Sequence, residues 1–372
     1  MIKSLRIAGY RSLRDFRLRM ERVTVLRGSN GMGKTNVYRA LRLVSSLARD
    51  DFGHAVSQEG GMRSLLWAGN QEHARLTVIN AEVETDNFTY EVECGLRPSS
   101  PSDLTAFRLD PDIKSEQLRF GRQAMAKRKG SQFRIANTKG VMQANSQPIA
   151  SAMSMLVAVR DLENFPLQLA ACADMAKWRF YHAIRTDAQA PARQPMRGYW
   201  SPVLAEDAAN LPAVVQSIRE SDRREVFDAA LASAFPGAEL SIDHDDWFSL
   251  TWQSGDMPRA FSGLEISDGT LQFICLAAAL CTPQPPPLLV LNEPETSLSE
   301  HVLPAIADLV EQAARHSQIL VVTHSEVLSR LIAERCKTRE YELVMRFGET
   351  RLRGQEHAKT SILIFDDEDE QD

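Results

Sequence analysis

The chain has 372 residues, 44% hydrophobic and 25% charged, with five Cys and a formal net charge of −6. Such a length buries a large core, as one large domain or two ordinary ones, and the proportions exclude a mostly disordered, collagen-like or disulfide-built chain. The charge belongs to the end of the chain, where Asp366, Asp367, Glu368, Asp369, Glu370 and Asp372 supply six carboxylates; without them the body is electrically balanced.

The first residues alternate as strands do, at Leu5 and Ile7, at Phe16, Leu18 and Met20, and at Val23 and Val25. The third run ends at Gly28, and a helix is expected over Asn36–Leu47. Residues 74–84 and 88–94 read as a strand pair turning at Thr85-Asp86-Asn87. From Arg97 to about Ile149 the periodicity is lost and Pro, Ser, Gly and basic residues accumulate. Helical spacing returns over 152–176, followed by a short strand at Trp178–His182 and a Pro-rich link. Then come helices over 206–235, a strand pair over 238–252 and an apolar helix over 269–281. A hard break at Thr282–Pro287 leads into the strand Leu288–Leu291, the helix Glu300–His316 and the strand Ile319–Thr323, an α/β alternation.

Gly28-Ser29-Asn30-Gly31-Met32-Gly33-Lys34-Thr35, with Asn36 after it, matches the phosphate-loop pattern GxxxxGK[ST] between a strand and a helix. Phosphates need several backbone N–H donors converging on one point, and glycine lets the main chain come that close. Lys34 would reach the β- and γ-phosphates and the Thr35 hydroxyl would ligate Mg²⁺. The site therefore reads as one for a nucleoside triphosphate, with ATP and Mg²⁺ as the expected ligands.

Leu288–Leu291 is a buried-strand run ending in Asn292-Glu293-Pro294-Glu295. A carboxylate at the exit of a central parallel strand faces the ligand, so Glu293 is expected to polarise the attacking water. His324, at the end of the next strand, is expected to bond the γ-phosphate or that water. Ser267-Asp268-Gly269-Thr270 opens the apolar helix, and Glu293 follows Gly269 by 24 residues, room for one helix, a turn and a strand.

That order resembles the ABC-type ATPases, in which a Ser-x-Gly signature helix precedes the catalytic strand and contacts the γ-phosphate held by the other protomer. The opening Ile2–Leu13, closing in Gly9-Tyr10-Arg11-Ser12-Leu13, also resembles the SMC/RecF/OLD-type ATPases. So do the phosphate loop, the Ser267 signature, Asn292–Leu298, Thr323-His324-Ser325, Trp178–Tyr181 and Asn210-Leu211-Pro212. Together they are most similar to the small stand-alone AAA-type ATPases of that class. The resemblance implies an α/β fold: a P-loop NTPase, an ABC-ATPase-like head with a mixed central sheet, an N-terminal antiparallel β-lobe and an inserted helical and basic segment. It implies Arg11 near the nucleotide and a Gln-bearing loop, for which Gln143 and Gln147 are weak matches. The corresponding domains are residues 1–96 with the phosphate loop, an insert over 97–200, residues 201–365 with signature, catalytic strand and His switch, and the acidic tail 366–372.

Two departures bear on mechanism. The family residue before the catalytic Glu is usually Asp, holding the Mg²⁺ shell through water; Asn292 is neutral but still an acceptor, so slow turnover is expected. After Leu298 the chain has Ser299-Glu300 in place of His or Asp before Pro. The chain has no room for the long coiled coil of SMC proteins, and 48 residues after His324 leave none for the TOPRIM nuclease of OLD proteins.

Between Lys114 and Lys139, Lys114, Arg119, Arg122, Lys127, Arg128, Lys129, Arg134 and Lys139 face Glu116 alone, with Phe120 and Phe133 interleaved. This segment reads either as a phosphate-neutralising surface for DNA or RNA, or as a solvated loop. No apolar run is long enough for a membrane helix, no signal peptide is visible, and no two Cys have CxxC spacing, so a cytoplasmic chain with free thiols is expected. The reading is an ATPase that forms an ATP-dependent homodimer and serves DNA maintenance or anti-phage defence with a separate effector protein. Its rival is a nucleotide-gated scaffold with negligible hydrolysis that controls a partner toxin or nuclease. A transporter ATPase is disfavoured by Ser-Asp-Gly-Thr in place of the LSGGQ type.

Overall fold

A computed structural model of the chain describes residues 1–69, 77–97, 105–145, 147–182, 184–255 and 257–354. The acidic tail 366–372 lies outside the described residues. In chain order the strands are β1 (Ile2–Tyr10), β2 (Leu13–Arg19), β3 (Val23–Arg27), β4 (Val78–Thr85), β5 (Thr89–Leu96), β6 (Pro111–Phe120), β7 (Gln123–Lys129), β8 (Gln132–Ala136), β9 (Met142–Ala144), β10 (Arg179–His182), β11 (Glu239–His244), β12 (Phe248–Gln253), β13 (Phe261–Ser262), β14 (Leu288–Asn292), β15 (Gln318–Thr323), β16 (Thr338–Arg346) and β17 (Glu349–Leu352). The α-helices are α1 (Lys34–Leu47), α2 (Phe52–Gln58), α3 (Met62–Leu65), α4 (Met155–Ala158), α5 (Pro166–Ala176), α6 (Leu211–Arg219), α7 (Arg224–Ala234), α8 (Asp268–Leu280), α9 (Leu303–Ala314) and α10 (Glu326–Arg335). Among the described residues no helix is long and apolar enough to cross a membrane. Two compact units alternate along the sequence: the first holds Met1–Ile2, Met20–Asn30 and Ala170–Glu342, the second Lys3–Arg19, Gly31–Leu169 and Leu343 onward.

In the first unit β10, β14, β15, β3 and β16 run parallel in that order. Every residue of β14 and β15 is buried, as continuous apolar runs require when both faces of a parallel sheet are covered. Val23, Val25, Leu289, Leu291, Ile319 and Val321 share one core with α6, α7, α8 and α9. Helix α8 has no polar face beyond its first turn: Leu271–Leu280 are all buried, so it is a core helix. The small antiparallel sheet β11-β12-β13 completes this unit.

The second unit is an eight-stranded antiparallel sheet, β2-β1-β4-β5-β6-β7-β8-β9. Apolar side chains of α1 (Ala40, Leu43, Val44, Leu47) and of the sheet (Ile7, Ile79, Ala81, Val92) line one narrow cavity of about 20 Å³, the seam where helix meets sheet. Residues 111–144, aperiodic in sequence, are the strands β6–β9. Two features hide them. Register irregularities at Glu93/Cys94 and Leu118/Arg119 shift the side-chain phase. Moreover, two inward positions carry charges, Glu116 and Arg128, whose side chains are fully buried and paired at 2.9 Å. Glu116 also accepts from the Tyr90 hydroxyl at 2.5 Å, the Ser154 hydroxyl and the Met155 N–H at 2.9 Å. Arg128 donates to the carbonyls of Gly130, Ala150, Ser151 and Met153.

Candidate functional site

At the carboxyl ends of the first unit's parallel strands the register aligns His182 with Asn292, Asn292 with Val322 and Thr323 with Arg27. Gly28, Ser29 and Asn30 leave β3 at this edge, Asn292 ends β14 with Glu293 next, and His324 follows β15. Asn292 is 2% exposed; its side-chain amide lies 2.6 Å from Nδ1 of His182, and its Oδ1 is buried with no hydrogen-bond partner. Glu293 sits at φ +52°, a left-handed conformation costly for a residue with a Cβ, pinned by its N–H donating to the Val322 carbonyl at 2.7 Å. Its carboxylate is partly exposed and lies 3.9 Å from Nδ1 of His324.

Glu295 organises the turn around His324. Its Oε1 accepts from the Thr323 hydroxyl (2.6 Å), the His324 N–H (2.9 Å) and the Ser325 N–H (3.1 Å), and lies 3.1 Å from Nδ1 of His324. With Nδ1 directed at Glu295, the ring offers Nε2 to any other partner. Chemically, this edge presents a carboxylate able to take a proton, an imidazole held in one orientation, and an unsatisfied amide oxygen.

Ser267 caps α8, its Oγ accepting from the Thr270 N–H at 3.2 Å. Ser267 and Asp268 are exposed. A Cβ on Gly269 would lie 2.8 Å from the Ser297 carbonyl, and Ser297 itself has φ +65°, so Gly269 is required where α8 meets the turn after β14. The turn before α8 is gripped by Arg193, which is 5% exposed.

In the second unit Gly31, Met32 and Gly33 lead into α1, whose first residues are Lys34, Thr35 and Asn36. The N-cap residue of α1, Gly33, makes no side-chain cap and the first turn carries no acid, so the positive end of the helix dipole suits an anion. Gly33 has φ +86°, and a Cβ there would collide with Oγ1 of Thr350 and Oγ of Ser12. Those hydroxyls are 2.7 Å apart; Thr350 donates to the Met32 carbonyl at 3.0 Å, and Asn36 donates to Ser12 at 2.8 Å. The β16–β17 hairpin thus braces this part of the loop. Lys34 is 4% exposed. Arg11, at φ +45°, pairs with Glu59 at 2.6 Å, and Glu59 also holds Arg39 at 3.1 Å. Gln143 lies on β9, opposite Ile135, and Gln147 beyond its end; both are exposed.

The basic segment is smaller as a surface than as a count. Arg128 is buried, Lys114 pairs with Asp112 at 2.5 Å, and Arg119 pairs with Glu91. Arg122, Lys127, Lys129, Arg134 and Lys139 remain exposed. Lys127 stands opposite Arg134 and Lys129 opposite Gln132, within an open groove of about 580 Å³ over β5–β8 whose other side carries Glu91 and Glu93. Burial raises the carboxyl pKa of both glutamates. The cysteines Cys94, Cys172, Cys275, Cys281 and Cys336 are free, and burial pushes Cys94, Cys275 and Cys281 up to about 12.

Sequence reasoning passed over His182, Arg193, Glu295 and Thr350. Glu295 had a signal, a second carboxylate two positions after Glu293. The others had none, because strand pairing and chain return bring them to the motifs. The fold is similar to solved SMC heads. An SMC head bound to the C-winged helix domain of ScpA matches with a TM-score of 0.52 at 14% identity, over 94% of this chain and 97% of that one. The Smc heads of Pyrococcus furiosus and Pyrococcus yayanosii match with TM-scores of 0.52 at 13% and 10% identity, over 94% of this chain and 95% and 96% of theirs. At these identities the likeness establishes the ABC-ATPase P-loop fold alone. The family described as "AAA domain, putative AbiEii toxin, Type IV TA system" matches residues 23–330, and the chain belongs to that family.

Proposed function

We propose that the protein binds and hydrolyses ATP, closes on it as a head-to-tail homodimer, and works as a switch for a DNA-related process that a separate effector carries out. The observation that carries the reading is the row of chemistry-bearing residues at the carboxyl ends of adjacent parallel strands. Asn292 ends β14 and Glu293 follows it, His324 follows β15, and the phosphate loop begins at β3 on the other side of β15. Ligands of such sheets bind at that edge. Glu293 takes the role of orienting and deprotonating water, with a strained backbone that fixes its direction. His324, turned by Glu295, reports on the γ-phosphate. Lys34 and the N terminus of α1 bind the phosphates, with Gly28–Gly33 as their backbone cradle, and Arg11 approaches the nucleotide. The Ser267–Gly269 turn, through the Ser267 hydroxyl and the α8 N terminus, serves the nucleotide of the second copy.

The donor set fits a divalent cation: the orphaned buried Oδ1 of Asn292 suits a metal-bound water, and Thr35 supplies a hydroxyl. Mg²⁺, when bound, would neutralise charge on the phosphates. The DNA contact of this reading is the exposed set Lys127, Lys129 and Arg134 with Arg122 and Lys139. The family's toxin–antitoxin description agrees with a defence setting.

ATP turnover of the wild type beside Glu293→Gln tests the enzyme reading. Loss of a general base typically costs about 10²- to 10⁴-fold. Equal rates would contradict it and favour the second reading, a nucleotide-gated scaffold, whose supporting observation is the neutral Asn292 at the end of β14.

A further inference from the structure

The signature turn carries a feature that works against its expected role. A helix N terminus attracts phosphate through its free N–H groups, yet Asp268 places a carboxylate in the first turn of α8, and Glu265 lies two residues before Ser267. Left bare, both would repel a polyphosphate. Each is covered by an arginine. Arg259 grips Glu265 at 2.6 and 3.2 Å, and Ser262 adds its N–H at 3.0 Å. Arg193 donates from Nη2 to Oδ1 of Asp268 at 2.6 Å.

Arg193 does more than neutralise. Its Nη1 donates to the carbonyls of Ile266 (2.6 Å), Gly263 (3.0 Å) and Leu264 (3.3 Å), the turn that delivers Ser267. Its Nε donates to the carbonyls of Thr186 and Asp187 at 2.9 and 3.1 Å, so the segment after β10 is the anchor. A Cβ on Gly263 would lie 2.8 Å from the Arg193 carbonyl, so the two backbones touch. The guanidinium is nearly fully buried while Ser267, Asp268 and Leu264 are exposed, Leu264 at 57%. A buried planar fork thereby sets the geometry and charge of a surface turn.

We infer that Arg193 is a positioning residue for the signature: it aims Ser267 and the α8 N terminus, and cancels Asp268, so that this turn can accept the triphosphate bound by a second copy of the chain. The inference rests on the ATP-dependent dimer proposed above, and it separates two roles within one protomer. Arg193 serves the partner's nucleotide and has no part in binding ATP at its own phosphate loop.

Mixing full-length chains tests this. Arg193→Gln leaves Asp268 uncompensated, whereas Lys34→Ala disables the phosphate loop. ATP-driven association is read by energy transfer between chains labelled with donor and acceptor. Wild-type chains are expected to associate. Arg193→Gln alone and Lys34→Ala alone are each expected to lose at least about tenfold in apparent affinity. Their mixture is expected to regain association, because a heterodimer has one complete site, built from the intact loop of one chain and the intact signature of the other. Arg193→Gln should bind fluorescent ATP within about twofold of wild type. Since Arg193 is buried, Arg193→Gln/Asp268→Asn, which leaves no charge unpaired, provides a second comparison. It is expected to associate better than Arg193→Gln and more weakly than Asp268→Asn alone. Association of the wild type without recovery in the mixture would overturn the role in trans while the dimer stands. Double and Asp268→Asn chains that associate equally would overturn the positioning role. A wild type that fails to associate with ATP would remove the dimer and this inference together.

Discussion

At the residue scale, the chemistry depends on side chains held by unexpected neighbours. Asn292 presents an amide whose Oδ1 is buried and unpaired and whose other end meets His182. Asn292→Asp adds a charge on the side proposed to face a metal-bound water, and the expected outcome is tighter Mg²⁺-dependent ATP binding, measured as the shift in apparent Kd between EDTA and Mg²⁺. No shift relative to wild type would argue against Asn292 as a metal-side group. A second prediction concerns Glu93, half-buried on β5, where burial raises its carboxyl pKa against the opposing pull of Lys114. A raised folded-state value means that stability contributed by the neutral form is present at low pH and lost as pH rises through that value. Glu93→Gln is therefore expected to melt higher than wild type at pH 7 and no higher at pH 4. The phosphate-loop pattern and the strand-end carboxylate could be proposed from the sequence because each is a contiguous run whose flanking strand is also legible. His182 and Arg193 could not, since a lone His or Arg acquires its meaning only when parallel pairing or a returning loop delivers it to the motif.

At the element scale, β14, β15 and α8 were readable from uninterrupted apolar runs, whereas the parallel strand β16, with charges throughout, was not read at all. The strands β6–β9 were not legible either, because a buried ion pair occupies inward positions and the register slips beside it. That pair also sets a stability prediction. Arg128→Ala would leave Glu116 buried without its counter-ion, at a cost of about 3–5 kcal/mol in denaturant unfolding; a loss below about 1 kcal/mol would contradict the burial of this pair. The β16–β17 hairpin braces the phosphate loop through Thr350, which is 1% exposed. Thr350→Val removes the hydrogen bond to Met32 and one of the two partners of Ser12, worth about 1 kcal/mol, so ATP affinity is expected to fall roughly fivefold with the melting temperature little changed. Unchanged ATP affinity would restrict the hairpin to a structural role.

At the scale of the whole molecule, two units share one chain that passes between them several times, so the motifs of the first 35 residues fall in both. The net charge of −6 says little about any face: the six acids at the end of the sequence equal the whole excess, and the exposed cations of β7 and β8 stand on one side of a sheet. Neutralising Lys127, Lys129 and Arg134 together, and leaving buried Arg128 intact, is expected to weaken DNA binding at low salt and to flatten its salt dependence by about three charges. Undiminished binding would exclude this face. The central claim is that ATP joins two copies of the chain. Its most direct measurement is the sedimentation of Glu293→Gln with and without ATP: a dimer only in the presence of ATP is expected, and a monomer under both conditions would contradict the nucleotide sandwich.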